Sequence, residues 1–200
     1  MRKIIINKIF KYLNFFYKYT DEEKEKIQYG LEVLLISSLK LIILIIISLI
    51  FNFFKETVLV IISVYFIRKY SYGIHMNKIY KCYILTILIL FIIPYFFINI
   101  DLSIIARIML HIFSFISIIL WCPADTKNRP LINKNKRELL KFKTACIALI
   151  YTYISLKFNH IIIKNTLTYS LIIESLLINP LTYKLFNIPY NNYKYIEISK

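Results

Sequence analysis

The stretch 31–54, LEVLLISSLKLIILIIISLIFNFF, decides the fold class. Its only charges are Glu32 and Lys40, and about 20 predominantly apolar residues are enough to cross the hydrocarbon core of a bilayer. Five more apolar segments follow. Residues 57–67 reach spanning length only if their helix runs from about 53 to 70. Residues 83–100 carry Pro94, an expected kink. Residues 102–121 and 144–158 come next, and 166–181 hold Glu174 inside the run.

Composition agrees. Of the 200 residues, 58% are apolar, and 26 Lys and Arg outnumber 11 Asp and Glu to give a net charge of +15. Mean hydropathy is +0.62. A soluble domain is about 45–50% apolar and could not cover this much Ile, Leu, Phe and Tyr. Disordered chains are poor in those residues. Two Gly, five Pro and three Cys exclude collagen-like, linker and disulfide-scaffold classes.

The first 26 residues do not read as a secretory signal. Their longest aliphatic run is Ile4, Ile5 and Ile6, and an Asp/Glu/Lys cluster over 21–26 follows. At helical spacing Asn7, Lys11, Asn14 and Lys18 share one stripe, and Ile5, Ile9, Leu13, Phe16 and Tyr17 face the other way. This pattern predicts an amphipathic helix lying in the headgroup region.

Lys and Arg cluster in four places: residues 1–26, 68–81, 127–143 and the tail after Pro180. The alternate connections hold only Lys55, none around Asp101, and Lys157 with Lys164. By the positive-inside rule, about six transmembrane helices with both termini cytoplasmic satisfy this alternation. Four full spans with the last two segments re-entrant keep the same sides. The expectation is one all-α integral membrane domain over 1–200, in contact with membrane lipids, with an interfacial segment over 1–26 and basic cytoplasmic loops at 68–82 and 122–143. No zinc spacing, phosphate-binding Gly loop or RNA-binding motif occurs. No metal, cofactor or nucleic-acid partner is therefore expected.

The loop 68–82, RKYSYGIHMNKIYKC, carries the chemistry. It holds one of the two glycines, one of the three histidines and one of the three cysteines. Both glycines, Gly30 and Gly73, sit at span edges, which suggests a backbone need at each. His75 near Cys82 is the minimal pair for a cysteine nucleophile, with imidazole taking the thiol proton. Seven residues on one helix would put the two on the same face but about 10.5 Å apart along the axis, beyond the ~3 Å reach of a hydrogen bond. His75 must therefore leave the helix that carries Cys82. Cys122 precedes Pro123 with no His nearby, and Cys146 reads as a packing residue. His111 and Glu174 lie at membrane depth, where ionisable groups are costly and commonly functional; for His111 a helix–helix hydrogen bond is expected.

These residues resemble the accessory gene regulator B (AgrB) family, membrane cysteine endopeptidases of Gram-positive bacteria that process quorum-sensing propeptides. Tyr29-Gly30-Leu31-Glu32 resembles the opening of the family's first main helix. Arg68, Gly73-x-His75 and Cys82 match its catalytic core. Residues 122–131, CPADTKNRPL, resemble its Pro-Ala-x-Thr-x-x-x-Pro loop, and Ile173-Glu174 with Pro180 resembles its late Ile-Glu…Pro segment. Tyr72 stands where many members have Gly, and Met76 where Ala is common.

The resemblance implies His75 and Cys82 as catalytic residues, an AgrD-like propeptide as partner, a homodimer and a multi-pass place in the bacterial cell membrane. It implies cleavage through a thioester and cyclisation to a thiolactone or lactone. Supporting or substrate-binding roles fall to Arg68, Gly73, Glu32, Asp125 and Glu174, with Asp125 a candidate to orient His75. The alternative is a non-enzymatic membrane protein that binds or exports a peptide, in which Glu174 matters and Cys82 does not.

Overall fold

The computed structural model describes residues 12, 20–76, 78–126 and 130–194. The amphipathic helix expected over 1–26 lies mostly outside them. By its internal contacts the chain divides into two compact units, Met1–Ile47 and Ser48–Lys200. Among the described residues the named elements are all helices, and Tyr72 and Ala124 form an isolated bridge.

Helix α1 spans Asp21–Ile50. Thr20 starts it with a capping box. Its backbone N–H donates to Glu23 Oε2 at 2.9 Å, and the Glu23 N–H donates to Thr20 Oγ1 at 3.4 Å, so two otherwise orphaned donors are satisfied reciprocally. Gly30 lies inside this helix, where no special backbone is needed; the expectation for the two glycines holds at Gly73 alone.

The second unit carries α2 (Phe54–Ser71), α3 (Ile79–Phe97), α4 (Ile104–Trp121), α5 (Lys134–Lys157), α6 (Ile161–Leu177) and the short α7 (Pro180–Leu185). Among the described residues, four helices are long and apolar enough to cross a membrane: α1 from Glu22, α3, α4 and α5. Helix α2 carries Lys55, Glu56, Arg68 and Lys69 in its end turns, and α6 is 17 residues long.

Three expected boundaries move. The helix expected over 144–158 begins at Lys134, because Asn133 caps it through Lys136 N–H at 3.1 Å and its first turns are good but polar helix formers. The basic loop expected to reach 143 therefore ends at Asn133. The last segment stops at Leu177, since Asn179 and Pro180 open α7. Both of the segments weighed as re-entrant are continuous helices.

Pro94 does not break α3. The turn Leu88–Ile92 just before it is π-helical, and the Ile93 N–H donates to the Leu88 carbonyl. In that register residue 94 would serve the Ile89 carbonyl, but proline has no N–H. The Tyr169 hydroxyl of α6 supplies the missing donor to Ile89 O, at 2.5 Å.

Helix α6 is the axis of the second unit and packs on α2, α4 and α5. Small polar residues let backbones approach and bond. Ser63 and Ser170 hydroxyls lie 2.7 Å apart, and Tyr151 OH donates to the Ser63 carbonyl at 2.8 Å. Helix α4 is inside-out compared with a soluble helix. Arg107, His111, Ser114 and Ser117 face the core, while Ile105, Met109, Ile112 and Ile116 are exposed, Met109 at 66%. That polarity suits a hydrocarbon solvent outside and hydrogen bonds inside.

Inside, Arg107 donates to Thr168 Oγ1 at 3.0 Å and Asn165 Oδ1 at 2.8 Å, and Asn165 Nδ2 donates to the Ile98 and Ile100 carbonyls. His111 lies 3.0 Å from the Thr152 and Thr168 hydroxyls and 2.9 Å from that of Ser155. It is the helix–helix bond expected of it.

Replacing Tyr169 by Phe should leave the Ile89 carbonyl unsatisfied beside Pro94 and cost about 1 kcal/mol. Reversible unfolding of the purified protein in mixed micelles measures this, with Tyr153→Phe, at an exposed site on α5, expected to change nothing.

Candidate active site

The end of the second unit that holds the α2–α3 loop is built from three segments distant in sequence. Helix α2 ends at Ser71 and α3 begins at Ile79, so the loop expected over 68–82 shortens to 72–78. His75 stands in this loop, exposed, and Cys82 lies half-buried on the first turn of α3. The Cys82 N–H donates to the Lys78 carbonyl at 3.1 Å, the first helical bond of that turn. His75 thus stands outside the helix that carries Cys82.

The loop's start is clamped by backbone bonds. Gly73 N–H donates to the Ala124 carbonyl at 3.0 Å, Ala124 N–H donates back to Ser71 O at 3.0 Å, and Ile74 N–H donates to Leu177 O at 3.2 Å. Arg68 reaches forward from the last turns of α2 and donates to the Ile74 carbonyl at 2.5 Å. This guanidinium therefore holds the residue next to His75.

Beneath the loop lies Glu174, fully buried. Ser71 Oγ donates to its Oε1 at 2.6 Å; Arg68 is near enough to act on it electrostatically. Its other oxygen has no hydrogen-bond partner among the described residues. Gly73 sits directly on it. A Cβ there would meet Glu174 Oε1 at 3.3 Å and Leu177 O at 3.4 Å, and its φ is +99°. Both conditions call for glycine. Tyr72 also has positive φ, 65° with ψ −110°, a conformation that strains a residue bearing Cβ.

Asp125 is buried on the segment after α4. Its carboxylate accepts from the backbone N–H groups of Asn192 and Tyr193, both at 2.8 Å, and from Asn192 Nδ2 at 3.3 Å. Tyr183 OH donates to the Asp125 carbonyl at 3.2 Å. Asp125 thereby ties residues 183–193 to the segment that pairs with the His75 loop.

The structure brings Arg68, Gly73 and Glu174 together under the loop and places Asp125 on the adjoining segment. Glu32 lies in α1, in the other unit. The remaining thiols differ in character. Burial pushes the Cys122 thiol up to about 12, which keeps it protonated and inert, and Cys146 lies within α5. Among the described residues no His, Cys, Asp and Glu cluster could hold a metal ion. Sequence reading missed Ser71, Ala124 and Asn192, whose roles arise from pairings between distant segments. It also missed Arg107, which an arginine four residues before His111 in an apolar run could have signalled.

An all-helical membrane protein with a clamped His-bearing loop beside a cysteine at a helix start is the class these features define. The accessory gene regulator B profile matches residues 3–178, and the chain belongs to that family. It is 34% identical over 184 residues to an AgrB-like protein of Listeria monocytogenes serovar 1/2a, covering 90% of this chain and 89% of that one. It is 33% identical over 140 residues to accessory gene regulator protein B of Staphylococcus carnosus, covering 68% and 73%. An AgrB-like protein of Clostridium perfringens is 31% identical over 159 residues, covering 76% and 72%. No solved structure matches.

Two neighbouring substitutions should act in opposite directions. Tyr72→Gly relieves strain and should raise stability by about 1 kcal/mol, whereas Gly73→Ala introduces strain and a close contact and should lower it by about 1–3 kcal/mol. Thermal unfolding of both variants in detergent checks the signs.

Proposed function

We propose that this protein is a membrane cysteine endopeptidase of the quorum-sensing system after which its family is named, acting on an AgrD-like propeptide. The observation that carries the reading is the break between the two candidate residues: His75 on a fixed loop, Cys82 on the following helix start. The clamp from Gly73, Ile74 and Arg68 supplies the preorganisation such a pair needs.

His75 takes the Cys82 proton, and the thiolate attacks the scissile carbonyl of the propeptide. The C–N bond breaks, His75 returns the proton to the leaving amine, and the N-terminal part stays on Cys82 as a thioester. A Cys or Ser side chain within that part then attacks the thioester, closes a thiolactone or lactone and releases the Cys82 thiol. Thiol–thioester exchange trades like bonds and needs no ATP if water is kept out of the acyl-enzyme. Arg68, Gly73 and Glu174 support the reaction by holding the loop. Glu32 is a further supporting candidate from α1.

Six helices, α1 to α6, cross the membrane in this reading, and the protein works as a homodimer. The catalytic end faces the cytoplasm: Arg68, Lys69, Lys78, Lys81, Lys134, Lys136, Arg137, Lys141 and Lys143 lie at that end of their helices. The opposite helix ends carry Lys55, Lys157 and Lys164, with Arg107 buried in the bundle interior.

Intact-mass analysis in lipid nanodiscs with the cognate propeptide tests the proposal. Wild type should gain the mass of the N-terminal fragment as a hydroxylamine-sensitive thioester, and Cys82→Ala should gain none. His75→Ala should slow the adduct at least about 100-fold. Adduct formation in Cys82→Ala, or cleavage without any adduct, would refute the nucleophile; activity indifferent to Cys82 but lost in Glu174→Gln would favour a peptide carrier.

A further inference from the structure

A cleft of about 420 Å³ opens at the catalytic end of the second unit, outside the loop that bears His75. Its lining combines one charged face of α5 with an aromatic wall. Lys134, Arg137 and Lys141 all line it, with Glu138 the only carboxylate beside them among the described residues. Their spacing of three and four residues puts the cations on one helix face, along about 10.5 Å of axis. The facing wall is Trp121, Tyr190 and Tyr193.

This cleft is held open by fixed contacts. The Arg137 guanidinium stacks on the Tyr193 ring at 3.7 Å, and its Nη1 donates to the Leu131 carbonyl at 3.3 Å. Tyr193 is in turn pinned by the buried Asp125 carboxylate. Cys122 and Pro123 line the cleft, and the next residue, Ala124, pairs with the Gly73 backbone. One short segment therefore joins the cleft to the loop of His75.

Positively charged loops at a membrane surface commonly serve topology alone, and that use requires neither a cavity nor a preset guanidinium. A lipid headgroup would bring one phosphate. Cations spread over two helical turns instead suit several carboxylates along an extended chain, which advances about 3.3 Å per residue, with apolar side chains against the aromatic wall.

We infer that this cleft binds an acidic peptide segment, with carboxylates on Lys134, Arg137 and Lys141 and an apolar side chain against Trp121 and Tyr190. The acidity follows from the cleft itself. Only the identity of the segment, the part of the propeptide beyond the scissile bond, rests on the peptidase reading. Binding there would hold the leaving part beside the loop while His75 and Cys82 act.

The test uses full-length Cys82→Ala protein in phosphatidylcholine nanodiscs and a fluorescein-labelled Glu/Leu peptide, followed by anisotropy. The Glu/Leu peptide should bind more tightly than its Gln/Leu counterpart, and added salt should weaken it. The triple variant Lys134→Gln, Arg137→Gln, Lys141→Gln should lose about tenfold in affinity. Lys134→Glu alone, at an exposed position, should shift binding the same way without disturbing packing. Lys55→Gln with Lys157→Gln, at the opposite helix ends, should leave it unchanged.

Equal binding of the two peptides, or of the cleft variants and the parent, overturns the proposal. So does loss of parent binding when the nanodiscs carry phosphatidylglycerol, which would make the cleft a lipid headgroup site. Because the protein used cannot form a thioester, this result is independent of the peptidase assay. Binding without turnover would refute the peptidase reading alone, and turnover without binding would refute the cleft alone.

Discussion

Gly73 meets two other parts of the chain at a φ of +99°, where a Cβ would be strained and tight against its neighbours. Its N–H donates to the Ala124 carbonyl on one side, and a Cβ on the other would meet Glu174 Oε1 and the Leu177 carbonyl. The α2–α3 loop, the segment after α4 and the end of α6 become one junction through this contact. The candidate site residues of the second unit are placed relative to it. His75 follows two residues later, Asp125 anchors the C-terminal segment one residue past Ala124, and the basic cleft begins at Cys122 and Pro123.

The bundle behind that junction is built for a solvent that offers no hydrogen bonds. Many of its apolar side chains point outward, and beside buried Val60, Ile67, Ile118 and Leu171 the interior carries Arg107, His111, Asn165 and a set of Ser and Thr hydroxyls bonded to one another or to backbone. In hydrocarbon an unsatisfied group is expensive, which is why the carbonyl released beside Pro94 has its own tyrosine. Glu174 departs from this rule, as do the Ser114 and Thr166 hydroxyls. A fully buried carboxylate with one unbonded oxygen is costly, and it lies under the candidate catalytic loop, where strain and desolvation are commonly retained for function.

Hydropathy made the long apolar helices at 31–54, 83–100 and 102–121 legible, because bilayer thickness imposes a length that apolar runs must meet. It under-read α5, whose first turns are polar and leave no apolar signal, and it ran the last span past Asn179, where a cap and a proline end the helix. The helix break between His75 and Cys82, which a dyad at that spacing would need because rise per residue is fixed, is present. Family resemblance singled out Gly73 and Glu174, but not that one sits on the other. That relation depends on residues about a hundred positions apart and has no local signature. Ser71, Ala124 and Asn192 are ordinary residues in sequence and acquire roles only through such pairings. The positive φ at Tyr72 was equally hidden.

The central claim is that the clamped loop holds His75 so as to activate Cys82. Alkylation of Cys82 by iodoacetamide at neutral pH, followed by peptide mapping in nanodisc-embedded protein, measures this without any substrate. Wild-type Cys82 should react at least about tenfold faster than in His75→Ala, and Gly73→Ala should slow it similarly while Cys122 stays unlabelled throughout. Equal rates in wild type and His75→Ala, with both proteins folded, would contradict it.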